Sequence, residues 1–362
     1  MNTFSMPTGF KTHQEGRLAG KVEFYNVQRS YMSSKVARVR WSPDCEHFLT
    51  GGYGEPTNRV ELWHFPRGAD CAYGYPKLKD SITTNGDVNE IKFVDGNRFL
   101  FSTTTSELHL VQISNEKMEI VETWDGKYFV GDSIYGFDIS DESTVAVITS
   151  EGIIACFSLA NRQEPSATVG SHKDNIECVS FLTNHELAQG NLRGQLTVWD
   201  LRLDLFKPAM SFAYNRDSTV GVTCIQPFPV RKHMLVASGM DGSVTTWDLR
   251  KPLMAETVYE AHSKPVTSMV FHQARPSNLF TTSMSGEVWH WTNFLSLLGE
   301  GGTTVTMFNH TVTIPPPDNK PDVVCLIGKK KFPTNSCDVI EDRLVCSTDN
   351  DCLVFVQPLQ LK

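Results

Sequence analysis

Hydrophobic and polar positions in this chain alternate in short runs, and the clearest of these runs close alike. Leu196-Thr197-Val198-Trp199-Asp200-Leu201-Arg202 is followed by Val244-Thr245-Thr246-Trp247-Asp248-Leu249-Arg250, and then by Val288-Trp289-His290-Trp291-Thr292. Each run places β-branched and aromatic residues at a period of two, which predicts a half-buried strand ending on Trp. A tight-turn tripeptide precedes each one: Arg193-Gly194-Gln195, Asp241-Gly242-Ser243 and Ser285-Gly286-Glu287. The same late-strand position falls upstream at Trp63, Val111 and Phe157, and downstream at Val356. Successive intervals are 48, 46, 42, 48, 44 and 65 residues, so seven positions mark seven repeats and the last interval holds an insertion.

A period near 45 residues, with Trp-Asp at the strand end, resembles the blades of WD40 propellers. A four-stranded repeat cannot bury its own faces, so the expected fold is all-β: a seven-bladed WD40 β-propeller. Strands a, innermost in each blade, are read at residues 36–41, 88–93, 134–139, 176–182, 222–226, 266–271 and 337–340. Too few residues follow Val356 for another strand. Residues 22–28 form an unassigned alternating run, so the ring is expected to be closed by this N-terminal strand. The domain reading is a disordered tail over 1–20 and one propeller over 21–362, with an insertion at 295–321 between blades six and seven. Within that insertion, Phe294-Leu295-Ser296-Leu297-Leu298 suits a short helix and part of 303–307 suits the outer strand of blade six. Residues 67–77, with Gly68, Gly74 and Pro76, read as a surface loop.

Composition narrows the function classes. A formal net charge of −8 argues against a nucleic-acid-binding surface. The longest apolar run, residues 153–160, is too short to span a bilayer, so no membrane insertion is expected. Nine Cys occur without a C-x-x-C pair, and the polar N-terminal stretch lacks a secretory signal, which together suit reduced intracellular thiols.

The chemistry-bearing residues read mostly as structural. His172 with Trp199, and His262 and Ser268 with Trp291, match the relay in which a loop His, a strand-a hydroxyl and a turn Asp hydrogen-bond through to a buried indole. A buried Trp N–H needs such a partner. Asp241 and Trp247 keep part of that relay in blade five, where the His is missing. Blade four carries Cys178 and Arg193 in place of Ser and Asp. His109 and His290 are expected on outer sheet faces. No phosphate loop, H-E-x-x-H or G-x-S-x-G occurs, so neither an enzyme nor a cofactor is expected. Asp349-Asn350-Asp351 reads as a hairpin turn. Lys329, Lys330 and Lys331 form a charged run. The repeated W-D-L-R resembles the box by which WD40 substrate receptors dock on the adaptor of cullin-4 ubiquitin ligases, with Arg202 and Arg250 as the adaptor contacts.

Other stretches point further. Lys35-Val36-Ala37-Arg38-Val39-Arg40-Trp41-Ser42-Pro43 with Thr50-Gly51-Gly52 and Val60-Glu61-Leu62-Trp63 opens the propeller. Later come residues 278–291 with Trp289 and Trp291 flanking His290, the long insertion, and Asn335-Ser336-Cys337-Asp338-Val339-Ile340 with residues 344–349. Together they resemble the family of the forty-three-kilodalton WD40 nucleoporin, a subunit of the Y-shaped outer scaffold of the nuclear pore. That resemblance implies an architectural role in pore assembly and nucleocytoplasmic transport, at the nuclear envelope and, in animals, at kinetochores. It also implies other Y-complex nucleoporins as partners, an α-solenoid subunit of the short arm among them, with no homo-oligomer required. Partner contacts are expected at the insertion and its neighbours, through Phe294, Leu295, Leu297, Leu298, Lys329, Lys330 and Lys331.

Overall fold

Seven four-stranded antiparallel sheets make up the molecule, as seen in a computed structural model that describes residues 26–66, 74–129, 133–160, 167–169, 175–203, 205–215, 219–252, 255, 257–294, 304–307, 310–313 and 321–362. Blades one to six run in chain order over residues 36–84, 88–124, 134–169, 176–213, 222–260 and 266–327. Blade seven takes three strands from Thr334–Ile340, Arg343–Thr348 and Cys352–Val356, and a fourth from Val27–Tyr31. That fourth strand pairs antiparallel with the third, Val27 opposite Val356 and Tyr31 opposite Cys352. It lies further along the chain than the 22–28 run, sharing only Val27 and Gln28 with it; residues 22–25 fall outside the described residues. The expected 1–20 tail also falls outside them.

Strands b and c are buried along almost their whole length, as in Met234–Gly239 and Ser243–Asp248 of blade five. The outer strands alternate instead, as in Thr257–Glu260, because one face meets solvent. Apolar clusters therefore run between blades as well as within them. Phe355 of blade seven packs 4.6 Å from Phe65 and 5.7 Å from Phe48 of blade one. Asp338 of blade seven accepts the Trp41 backbone N–H of blade one at 2.7 Å, and Asp138 of blade three accepts that of Phe181 in blade four at 2.8 Å.

Every strand a opens with a one-residue register shift against strand b, from Val36/Arg38 in blade one to Thr334/Ser336 in blade seven. Such a bulge re-aims the following side chains. Here they face a central channel of about 630 Å³, lined by Arg38, Arg40, Glu90, Lys92, Glu177 and Ser268 among others. Ion pairs bridge blades there: Arg40 Nη2 to Glu90 Oε1 at 2.6 Å and Lys92 Nζ to Asp138 Oδ1 at 2.5 Å.

The insertion departs from expectation in one described part. Thr304–Met307 does not complete blade six; it pairs with His310–Thr313 in a separate two-stranded hairpin. Asp322–Ile327 supplies the outer strand instead, pairing with Val288–Thr292. Its Val-Val-Cys-Leu-Ile run has the apolar content that packing on strand c requires.

Close approach between blades constrains one glycine sharply. A Cβ on Gly51 would sit 2.6 Å from Val88 Cγ1 and 3.0 Å from Ile91 Cδ1 of blade two. Gly51→Ala is expected to destabilise the protein by ~1–3 kcal/mol through overpacking. Gly96→Ala, with nothing within 4 Å of the new methyl, should leave the urea midpoint unchanged. Equal midpoints for both variants would show that blades one and two do not pack as described.

Candidate functional site

The indole relays are built differently from the sequence pattern. In blade six, Trp291 Nε1 donates to Thr281 Oγ1 at 3.0 Å, and His262 Nε2 meets the same hydroxyl at 2.8 Å. Thr281 lies on strand b; Ser268, on strand a, is not part of this chain. The register shift turns Ser268 to the channel, where its Oγ lies 3.9 Å from the Cys337 thiol. In blade one, Trp63 Nε1 donates to Thr50 Oγ1 at 3.0 Å, again from strand b. In blade five the equivalent strand-b residue is Ala237, and its cross-strand partner Thr245 supplies the hydroxyl to Trp247 Nε1 at 2.9 Å. One polar spot is thus filled from either side of a strand pair. In blade four no described residue accepts the buried Trp199 N–H, and His172 falls outside the described residues.

The turn residues form a second layer. Asp241 does not reach Trp247; its Oδ1 accepts Ser243 Oγ–H at 2.6 Å, and Ser243 Oγ meets Tyr214 OH at 2.8 Å. In blade six the matching set is Ser285, Glu287 and His262. Ser285 Oγ donates to Glu287 Oε2 at 2.6 Å, and His262 Nδ1 lies 3.8 Å from that oxygen. His262 beside it holds the Glu287 carboxyl below its ordinary pKa, although burial opposes this. Tyr214 thus occupies in blade five the place of the missing His. The signal was present, since Tyr214 follows an outer strand as His262 does, but a longer connection hides it.

His109 and His290 do not decorate outer faces. His290 is fully buried, stacked on Phe280 at 4.4 Å, with Nε2 bonded to Asn278 Oδ1 at 2.9 Å. His109 stacks on Phe101 at 4.6 Å and meets Thr123 Oγ1 at 2.9 Å. Both faces of strand c are covered by neighbouring blades, so alternation there does not mean exposure.

Among expected partner-binding residues, Phe294 is fully buried against Phe228, Phe271 and Trp291. Its side chain seals the edge of blade six and cannot anchor a partner without unpacking it. Leu295, Leu297 and Leu298 fall outside the described residues. Lys329, Lys330 and Lys331 are exposed, in the connection from blade six to blade seven. The insertion leaves after Phe294 and rejoins before Asp322, whereas the lysines follow Ile327. The six-residue outer strand Asp322–Ile327 therefore separates their attachment points, placing them on opposite faces of the disc.

Arg202 and Arg250 each fork onto the Asp two residues earlier. Arg202 Nε and Nη2 donate to Asp200 at 2.9 and 2.7 Å; Arg250 does the same to Asp248 at 2.9 and 2.6 Å. These hydrogen bonds lower both carboxyl pKa values to about 2. Both guanidinium groups stay largely exposed on adjacent blades.

One further cluster escaped sequence reading because its members come from two blades, His47 and His64 opposite one another in blade one and Glu116 in a turn of blade two. His47, His64 and Glu116 place ligand-type atoms within 4.8 Å of one another. Asp44 already engages His47 Nδ1 at 2.7 Å, and Lys79 already places a cation 2.8 Å from Glu116. Burial, with His47 and Lys79 nearby, pushes the His64 pKa down. Eight cysteines among the described residues are free thiols. Burial pushes those of Cys156 and Cys337 up to about 12, which keeps them protonated and unreactive.

Seven sheets about a channel, with Trp-centred relays in the sheet interiors, define the class: a seven-bladed β-propeller carrying a WD repeat. Residues 208–248 match the family described as "WD domain, G-beta repeat". Over most of its length the chain is similar to Nucleoporin Nup43 of Mus musculus, 24% identical over 376 aligned positions that cover 92% of this chain and 99% of the mouse protein. Nucleoporin Nup43 of Homo sapiens is 23% identical with the same coverage. The resemblance read from residues 35–63 and 278–349 thus points to the protein that these comparisons find.

Two outcomes test the interior chemistry. Thr245→Val should strand the Trp247 N–H and cost ~1–3 kcal/mol, and Ala237→Thr in that background should recover part of the loss. No recovery in denaturant melts would show that the two positions do not serve one spot. Burial lowers the His290 pKa from 6.5 to about 4, so the folded state holds it neutral while the unfolded chain takes up a proton below 6.5. Stability should be complete above pH 6.5 and fall by roughly 3 kcal/mol toward pH 4. His290→Gln, which keeps a donor for Asn278, should flatten that part of the pH profile.

Proposed function

We propose that this chain is a non-enzymatic scaffold subunit of the nuclear pore complex, acting through its surfaces rather than through a reaction. The observation that carries the reading is the collinear similarity to Nucleoporin Nup43 across 92% of the chain and 99% of the relatives. A likeness confined to one blade would indicate only a shared repeat; one that spans seven blades and the insertion interval follows a whole protein. The fold suits the role, because a closed propeller offers two faces and a side wall on a stiff frame.

In finer detail, the partners are other nucleoporins of the Y-shaped outer-ring complex, with an α-solenoid subunit of the short arm as the direct neighbour. The work supported is pore assembly and nucleocytoplasmic transport, with a second location at kinetochores in mitosis. Tagged at its own locus and purified from interphase cells, the chain should bring down Y-complex nucleoporins in near-stoichiometric amounts and mark the nuclear rim. Absence of nucleoporins from the purified material would overturn the reading.

A second reading, a substrate receptor on a cullin-4 ligase adaptor, draws on the paired and exposed Arg202 and Arg250 forks. Replacing both with Ala should leave nucleoporin recovery and rim signal intact. Recovery of the adaptor by the unaltered chain, lost in the double variant, would establish the box as an additional contact.

A further inference from the structure

Seven equivalent backbone positions allow the blades to be compared side chain by side chain. In every blade the residue that opens the b–c turn donates its N–H to the carbonyl just before strand a, at 2.8–3.2 Å. Geometry is therefore constant and only the side chain varies. Blades four, five and six place Leu192, Met240 and Met284 there, 37%, 44% and 47% exposed. The other four blades place Tyr53, Thr104, Ser150 and Asp349 at that point. Phe332, 43% exposed, extends the apolar series toward blade seven.

The apolar positions are joined. Gly221 lies between Leu192 and Met240, since its Cβ would fall 3.3 Å from Leu192 Cα and 3.2 Å from Met240 Sδ. A Cβ on the turn glycine of blade six, Gly286, would meet the Phe332 carbonyl at 2.5 Å and Lys330 Cβ at 2.7 Å. Nothing in blade packing needs three large apolar side chains turned to water at one symmetry-related position, and unbranched Met adapts readily to a partner's shape.

Charge on this arc is predominantly positive. Arg193, Lys264, Lys329, Lys330 and Lys331 are exposed along it. Three described carboxylates lie among them: Asp241 and Glu287, which accept hydrogen bonds from Ser243 and Ser285, and the exposed Glu260. Across the same face, by contrast, Glu55, Asp87, Asp349 and Asp351 line blades seven, one and two, with the exposed Lys35 among them. In a chain of net charge −8, five exposed cations against three described carboxylates leave the apolar arc on the positive side.

We infer that the b–c turns of blades four to six, with the connections that carry Lys264 and Lys329–Lys331, form a docking surface for an acidic segment of a partner protein that carries two or three apolar side chains. The apolar groups seat on Leu192, Met240 and Met284, and the carboxylates face the lysines. The acidic arc opposite repels the same segment and so sets where it lies. This surface is on the face opposite the attachment of the 295–321 insertion. It also stands apart from the identity of the partner, so the proposed membership of the nuclear pore can fail without it.

The experiment places a photocrosslinking amino acid at 240 or 284 in the full-length chain in cells, with 104 and 150 as equivalent positions on blades two and three. Captured peptides are sequenced by mass spectrometry. Positions 240 and 284 should capture one shared segment, net acidic and bearing apolar residues. Its yield should drop at least tenfold in Lys329→Glu/Lys330→Glu/Lys331→Glu, with an unchanged melting temperature. Lys329→Ala/Lys331→Ala, carrying no reversed charge, should give a smaller drop. A synthetic copy of the captured segment should bind the purified chain at least tenfold more weakly once its apolar residues are changed to Ser. Equal capture at 104 and 150, or capture of a basic segment, a lipid or a second copy of this chain, would overturn the inference. So would no capture at all. The name of the captured protein tests the nuclear-pore reading, whereas the composition of the captured segment tests this one.

Discussion

The ladder between Val27–Tyr31 and Cys352–Val356 is the interaction on which the rest of the molecule depends. Each four-stranded sheet has two faces to bury and can cover neither alone, so every blade relies on the two beside it. An open row of such blades would leave two uncovered faces at its ends. Pairing a strand from one end of the series into the blade at the other turns the row into a ring, and the aromatic contacts of Phe355 with Phe48 and Phe65 are then ordinary interior packing. Positions elsewhere inherit their constraints from this closure. Gly51 has no room for a methyl because blade two is pressed against it, and the channel exists because seven register-shifted inner strands converge.

Much of this was legible in the sequence, for a physical reason. Strands b and c are buried on both faces, so they must be apolar runs of fixed length, and repetition makes them visible even where the Trp is replaced by Phe157, Val111 or Val356. The closing strand was located less well because outer strands face water. Val27–Tyr31 is interrupted by Gln28, Arg29 and Ser30, whereas the more hydrophobic 22–28 run looked the better strand. Likewise Thr304–Met307 has the β-branched content of a strand and forms one, but pairs within its own hairpin. Pattern reports that a segment pairs; it does not report with what.

The interior polar groups were less legible still. A relay read as fixed residue types at fixed positions misses a hydroxyl that comes from Thr281 in one blade and Thr245 in another, because the two positions are adjacent only across a strand pair. The same geometry makes phenolic Tyr214 a substitute for imidazole. What the structure conserves among blades is a donor or acceptor at a point in space, and several residues reach that point. Phe294 shows the converse error: an aromatic at the edge of an insertion looked like a contact for others, yet it closes the core of its own blade.

The closing ladder also has a consequence in time. Val27 and Val356 are opposite one another but about 330 residues apart along the chain. At roughly 5–20 residues per second, a ribosome takes on the order of 15 to 70 seconds to deliver the second after the first. Through that interval the early strand has no partner, and blade one lacks the neighbour that will cover Trp41 and Phe48. The polar character of Gln28, Arg29 and Ser30, a handicap to recognising the strand, is then an asset, since a waiting edge of this kind resists pairing with the wrong chain. The ring cannot close before Cys352–Val356 is made, so the final packing of the first blade waits on that strand.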